Sequence, residues 1–576
     1  MTATTEAPST TRSLPGLLLR HASERPDDVA LREKHRGVWR ETTWAQYAER
    51  SARVGLGLLE LGVQPGDKVA IHSENRPEWL LADLGAQGVG AVVTGIYPTS
   101  PAAEVEYLLG HSESVVLIAE DEEQLDKALA VREQLPALRH IVLVDPRNVR
   151  VLDDPMILTF AELEELGERR ERSEWDERAG RLEPDATAII VYTSGTTGPP
   201  KGAMISHANL MAAADAFLAV YDVGPSDEVL SYLPLCHIAE RLFSVIDALA
   251  AGYVVNFGEG GASFTQDLRD VQPTFFLGVP RVWEKMMAGV EIRVADASRL
   301  KRRLHAAGVA KRPLREKLGM SRCRIALSGA APIAPQVLEY FQRLGVPIRE
   351  GYGQTENTAV ATYTPEDDVR IGTVGKAAPG VELRIAEDGE ILTRSAAVFQ
   401  GYFKNPEATA ETVDADGWLH TGDVGVLSED GFLTITDRKK DIIITAGGKN
   451  ISPSEIENKL KVSPYVREAV VIGDRRKFLT ALIGIESDTV GDWATRRGLP
   501  FTTYADLSAK PEVRELIEGV VDEVNREFAQ VETIKRFTLL TKELDHEDGE
   551  LTATQKVKRR ALEERFAKEI EELYAA

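Results

Sequence analysis

From Thr11 to Arg181, stretches with apolar residues at helical spacing alternate with short β-rich runs at 68–72, 91–95, 114–119 and 141–144. Such alternation predicts βαβ units around a parallel sheet. A second series, from Ala188 to Ile348, carries continuous apolar runs at 188–192, 253–257 and 274–277. Runs of that kind predict strands buried on both faces, so two similar α/β halves are expected. Between Thr373 and Thr436 the texture changes to short β-runs punctuated by Gly389, Gly401, Gly417, Gly422, Gly425 and Gly431, which predicts a small antiparallel sheet or barrel.

The charged segment Asp437-Arg438-Lys439-Lys440-Asp441 precedes a separate α+β pattern, with helix 453–461, strands 468–472 and 479–486, and helix 513–528. Ser452 before Pro453, with Glu455 three residues on, predicts a capping box at the first of these helices. Val513, Leu516, Ile517, Val520, Val521 and Val524 recur at helical spacing and predict a core-facing stripe. The expected fold class is α/β. A large N-terminal domain, residues 1–437, holds two similar sheet subdomains and a small β-barrel subdomain at about 373–436, and residues 438–576 form an α+β C-terminal domain.

Composition narrows the classes. The chain has 576 residues, room for roughly four domain-sized units. With 43% apolar and 28% charged residues it reads as globular rather than disordered or fibrous. A net charge of −23 disfavours non-specific binding to nucleic acid or anionic lipid, so a polyanionic ligand needs a locally cationic pocket. Cys236 and Cys323 are far apart, which predicts neither a disulfide framework nor a cysteine-rich metal site and fits a reducing cytoplasm. Leu14 to Leu19 is interrupted by Pro15 and Gly16, so it is not expected to act as a signal peptide. No apolar run approaches the about 20 residues of a membrane-spanning helix, and any membrane contact is expected to be peripheral.

The strongest chemical signal is Tyr192-Thr193-Ser194-Gly195-Thr196-Thr197-Gly198-Pro199-Pro200-Lys201-Gly202, just after an apolar strand. Gly195 and Gly198 let backbone N–H groups turn toward an anion, and the hydroxyls and Lys201 can donate to phosphate oxygens. The glycine spacing is too short for a Walker A loop and Gly202 follows the lysine, which disfavours a P-loop kinase or ATPase.

This loop resembles the signature of the adenylate-forming superfamily, which includes acyl-CoA synthetases, luciferases and nonribosomal-peptide adenylation domains. Further blocks follow in the family's order: Leu233-Pro234-Leu235-Cys236-His237-Ile238-Ala239-Glu240-Arg241, Ser328-Gly329-Ala330-Ala331-Pro332, Gly351-Tyr352-Gly353-Gln354-Thr355-Glu356 and Trp418-Leu419-His420-Thr421-Gly422-Asp423. Residues 437–457 resemble the interdomain hinge and its following helix. Leu551-Thr552-Ala553-Thr554-Gln555-Lys556-Val557-Lys558-Arg559 resembles the C-terminal lysine motif, with Gln555 where the family usually has glycine.

The resemblance implies roles. Thr193, Ser194, Gly195, Thr196, Thr197, Gly198 and Lys201 would bind the phosphates of ATP, Thr193 and Glu356 would hold Mg²⁺, and Thr355 would contact the adenylate phosphate. Gly329, Ala330, Gly351, Tyr352 and Gly353 would wall the adenine site, and Asp423, with Arg438 nearby, would take the ribose hydroxyls. Lys556 would reach the α-phosphate and the substrate carboxylate. Lys440 falls at the hinge position, and Gly447 and Gly448 would line the pantetheine channel of CoA. His237 is open between a place near the acyl carboxylate and a structural imidazole. Cys236, taken as its neighbour on a strand, is read as packing. The basic stretch 301–315 is read as a solvated helical face rather than a site.

The implied reaction is activation of a carboxylate by ATP to an acyl-adenylate, then transfer to the CoA thiol, with AMP and pyrophosphate released. His-Ile-Ala-Glu-Arg at 237–241 and Pro-Arg-Val-Trp-Glu-Lys at 280–285 look most like long-chain fatty acyl-CoA synthetases. A medium-chain or aryl acid, or an acyl or aminoacyl group loaded onto a carrier protein, is the alternative. A homodimer is left open.

Overall fold

The computed structural model describes residues 12–147, 149, 154–193, 198–295, 311–546, 548–552 and 556–575. Among them the largest sheet has eight strands, in the order Gly401–Tyr402, Lys201–Ser206, Thr187–Thr193, Val92–Ile96, Lys68–His72, Ser114–Ala119, His140–Leu143 and Ile157–Thr159. Its middle is parallel, and Val69, Ile71, Val93, Val116 and Ile118 are fully buried. Helices cover both faces of such a sheet, which is why these strands read as apolar runs without alternation.

Two more sheets complete the α/β body. One runs Phe275–Leu277, Ile325–Ser328, Ile348–Tyr352, Thr362–Tyr363, Lys376–Ala377; the other runs Glu228–Ser231, Val254–Phe257, Val29–His35, Val38–Thr43. The expected β-rich unit is a four-stranded antiparallel sheet, Glu382–Ile385, Glu390–Arg394, Leu419–Leu427 and Leu433–Arg438.

Strand membership departs from the sequence reading. The run at 188–192, placed in the second series, extends to Thr187–Thr193 and lies in the first sheet, between Val92–Ile96 and Lys201–Ser206. Val254–Phe257 pairs in parallel with Val29–His35 from the start of the chain, Leu31 opposite Val255. Continuous apolar character reports burial on both faces and carries no information about the partner strand.

The C-terminal region has its own core, built on Val466–Ile472, Leu479–Ile485 and Ile534–Leu539, with helices Pro453–Lys461 and Pro511–Asn525 packed against them. Val513, Ile517, Val521 and Val524 are buried, as their spacing predicts, and Leu516 and Val520 are half-buried. The capping box at Ser452 does not form. The Ser452 hydroxyl donates instead to Thr436 O at 2.9 Å and to Asp437 Oδ2 at 2.7 Å. Asp437 takes over the cap, accepting the Ser454 N–H at 3.3 Å and the Ser454 hydroxyl at 2.9 Å. A buried carboxylate is the stronger acceptor, and an acid at a helix N-terminus also meets the helix dipole.

Two further contacts seat this region on the body. Arg281 lies 3.8 Å from Glu468 and 3.6 Å from Glu486, and His546 Nε2 lies 3.2 Å from Glu104 Oε2. No helix among the described residues is long and apolar enough to cross a membrane.

Candidate active site

The glycine- and hydroxyl-rich loop joins two antiparallel neighbours, with Thr193 opposite Lys201 in register. Ser194, Gly195, Thr196 and Thr197 lie outside the described residues. Gly198 takes φ +89°, a conformation glycine adopts without a Cβ penalty. The Thr193 hydroxyl donates to Lys201 O at 3.4 Å, and the Tyr107 hydroxyl holds Pro200 O at 2.9 Å. The loop is therefore anchored at both ends.

Strands Ile325–Ser328 and Ile348–Tyr352 run in parallel, Ser328 opposite Glu350, and deliver Gly329 and Gly351 side by side. A Cβ on Gly329 would stand 3.1 Å from Gly351 O, and one on Gly353 only 2.2 Å from the Ala359 carbonyl carbon. Small residues here let backbone meet backbone. Ala330 takes φ +66°. Thr355, half-buried, and Glu356, buried, open the short turn Thr355–Asn357.

The Tyr352 hydroxyl donates to Asp423 Oδ2 at 2.7 Å, while Arg438 Nε stands 3.7 Å from Asp423 Oδ1, its register partner on the next strand. Burial raises the Asp423 pKa; the Tyr352 hydrogen bond and the positive charges of Arg438 and Lys556 oppose the rise. Glu356 Oε1 accepts from the Tyr402 hydroxyl at 2.5 Å, and Lys201 Nζ lies 5.0 Å from the centroid of the same ring.

Lys556 comes from the C-terminal region, where the Thr552 N–H donates to Lys556 O at 2.7 Å and the Lys556 N–H to the Thr552 hydroxyl at 3.0 Å. Burial lowers its pKa to about 8; the Arg438 charge pushes the same way, and Asp423 and Glu356 oppose. The ammonium therefore sits in the field of residues drawn from three separate motifs of the body.

His237 caps the helix Ile238–Arg241, its Nδ1 accepting the Ala239 N–H at 3.2 Å. Burial and the Lys556 charge lower its pKa to about 4, so the imidazole is neutral. Cys236 and His237 lie on a turn, which corrects the strand geometry expected for them; Cys236 is buried, as packing requires. Lys440 is exposed just after Leu433–Arg438, and Gly447 and Gly448, also exposed, form the turn between Ile443–Ile444 and Asn450–Ile451, with Gly448 at φ +78°. Their contacts are local, as in the Gly448 N–H to Thr445 O bond of 2.8 Å. Residues 301–310 lie outside the described residues, and Lys311–Lys317 is a helix with no buried side chain.

Sequence reasoning missed Tyr402, whose Gly401-Tyr402 pair was visible only as another glycine in a β-run. It also missed Glu240, buried, with Oε1 accepting from the hydroxyls of Ser231 at 2.7 Å and Ser244 at 2.5 Å. Asn75 links this pair to the motif turn, donating to Ser231 Oγ and Leu233 O and accepting the Leu235 N–H.

Strand ends that carry Gly329 and Gly351, with a lysine from a second region in the field of Asp423 and Glu356, form the arrangement that the resemblance to adenylate-forming enzymes calls for. Residues 18–403 match the AMP-binding enzyme family and residues 440–576 match the AMP-binding enzyme C-terminal domain, and the chain belongs to this family. It is 35% identical to the long-chain-fatty-acid–CoA ligase FadD15 of Mycobacterium tuberculosis, over 97% of this chain and 96% of that one. It is 31% identical to the long-chain-fatty-acid–CoA ligase ACSBG1 of Homo sapiens, over 95% and 83%. Among solved structures, the anthranilate CoA ligase AuaEII with anthranoyl-AMP superposes with a TM-score of 0.77 at 22% identity, covering 97% of this chain and 98% of that one. The adenylation domain of a Mycobacterium chelonae carboxylate reductase gives 0.79 at 23%, covering 98% and 91%. At such identity these two structures speak for the fold.

Proposed function

We propose that this enzyme joins a long-chain fatty acid to CoA in two steps on one site, releasing AMP and pyrophosphate. The observation that carries the reading is the placement of Lys556 in the combined field of Arg438, Asp423 and Glu356. Long-chain fatty acids are the proposed substrates because FadD15 and ACSBG1, which align along most of this chain, carry that name.

In the first step the fatty carboxylate attacks the α-phosphorus of ATP, and pyrophosphate leaves. Gly329, Ala330, Gly351 and Gly353 admit the adenine, Tyr352 offers its ring, and Asp423, with Arg438 beside it, accepts from the ribose hydroxyls. The loop from Thr193 to Lys201 holds the phosphates, and Thr355 the adenylate phosphate. Lys556 then offsets charge at the α-phosphate and the entering carboxylate, where fixed positive charge in a water-poor site acts most strongly. Glu356 and Thr193 suit Mg²⁺, since Glu356 is a buried carboxylate whose Oε2 accepts no hydrogen bond among the described residues. The ion would supply charge neutralisation along the triphosphate.

In the second step the CoA thiol attacks the acyl carbonyl and AMP departs. Rotation at Lys440, between an N-terminal domain ending at 437 and the C-terminal domain, would withdraw Lys556 and bring Gly447 and Gly448 to the pantetheine arm. His237, its pKa lowered to about 4, is too weak a base to be given a general-base role in either step. The test is ATP–pyrophosphate exchange without CoA, run over a graded panel of acids. Exchange that rises with fatty chain length supports the reading; exchange confined to aryl or amino acids refutes the substrate class, and no exchange with any acid refutes the chemistry.

A further inference from the structure

Residues 397–403 join the two walls of the triphosphate site. Tyr402 lies opposite Ala203 on the strand that begins with Lys201, and the Phe403 N–H donates to Gly202 O at 2.7 Å. On the other side the Phe399 N–H donates to the main-chain oxygen of Glu356 at 2.9 Å, and the Thr358 hydroxyl to Ala397 O at 2.7 Å. Tyr402, the next-to-last residue of this span, is only 8% exposed.

Its side chain reaches both Glu356 and Lys201. The hydroxyl donates to Glu356 Oε1 at 2.5 Å, and the ring face lies 5.0 Å from Lys201 Nζ. The ring is itself held: Phe399 packs edge-on with centroids 4.9 Å apart, and the Tyr402 N–H donates to Thr409 Oγ1 at 2.9 Å. Gly401 before it takes φ +129°, and a Cβ there would stand 2.6 Å from Thr409 Cγ2, so the approach depends on glycine. Burial and the Glu356 charge keep the phenol far above its ordinary range, so it stays a donor.

We propose that Tyr402 is a positioning residue for the triphosphate site, fixing one oxygen of Glu356 with its hydroxyl and seating the Lys201 ammonium on its ring. A hydrogen bond to a carboxylate restricts its rotation, so Oε2 is presented to a divalent cation in one geometry. The ring quadrupole attracts the ammonium without neutralising it, and the charge remains available to phosphate. One side chain thus sets the spacing between the cation-binding and phosphate-binding groups. The inference rests on the assignment of Mg²⁺ to Glu356 and of phosphate to Lys201.

Calorimetric titration of ATP into the full-length protein, with Mg²⁺ and with EDTA, separates the two functions. Y402F keeps the ring and removes the hydroxyl. It is expected to lose about tenfold of the gain in ATP affinity that Mg²⁺ confers, with metal-free affinity unchanged. Y402L removes both and is expected to weaken metal-free binding as well. A Y402F protein with the parent's Mg²⁺-dependent gain overturns the proposal, as does equal loss with and without Mg²⁺, the mark of a packing defect. E356Q in the same titration tells the two failures apart. If E356Q retains the gain, the metal assignment falls and the proposal with it; if E356Q loses the gain and Y402F does not, only the Tyr402 proposal falls.

Discussion

In the proposed mechanism, Lys556 is the residue on which adenylation turns. Its pKa of about 8 means that the free enzyme carries the charge below that pH and sheds it above. Pyrophosphate exchange, measured as kcat/KM for ATP, should therefore fall as pH rises through about 8, and K556R, charged throughout, should lose that basic limb. K556A should slow exchange by at least 10²-fold while largely sparing thioester formation from supplied acyl-adenylate; equal loss in both assays contradicts the assignment. D423N, which weakens the acceptor shared by Tyr352 and Arg438, should raise the KM for ATP by about tenfold and leave that for the acid unchanged. Motif residues such as these could be proposed from sequence because each motif is a short run. Tyr402 could not, because its partner Glu356 is 46 residues away and only the folded chain brings the hydroxyl to the carboxylate.

At the scale of elements, periodicity located strands and helices well, and helix Pro453–Lys461 runs from the residue its proline marks. The cap was misread for a tertiary reason. Ser452 and Ser454 both spend their hydroxyls on Asp437, just before the hinge position, and no local pattern encodes that acceptor. These hydrogen bonds tie the first C-terminal helix to the end of Leu433–Arg438, so the proposed rotation about Lys440 would have to break them. Lys440→Pro, by locking a backbone dihedral, should preserve acid-dependent pyrophosphate exchange and lower acyl-CoA output by at least tenfold. Parent-like rates in both assays remove Lys440 as the hinge.

Across the whole molecule, the C-terminal region has its own core, and among the described residues polar contacts such as Arg281 with Glu468 and Glu486, together with Val462 against the body's apolar cluster, seat it on the body. The His546–Glu104 pair adds a contact sensitive to pH. Its hydrogen bond to Glu104 raises the His546 pKa against burial, with Leu551 O and the Glu104 charge adding and Lys558 opposing. The contact is therefore fully present below the ordinary imidazole pKa and is lost as pH rises through the raised one. The difference in docked fraction between parent and E104Q, read by interdomain fluorescence energy transfer, should shrink from pH 6 to pH 9; a constant difference contradicts the charged pair. Sequence could not reveal this pair, since its members are 442 residues apart. Oleate labelled with ¹⁸O in its carboxylate, turned over with ATP and CoA, tests adenylate-first chemistry most directly. One labelled oxygen per thioester is predicted in the phosphate of AMP; label appearing instead in inorganic phosphate, with ADP as the nucleotide product, contradicts it.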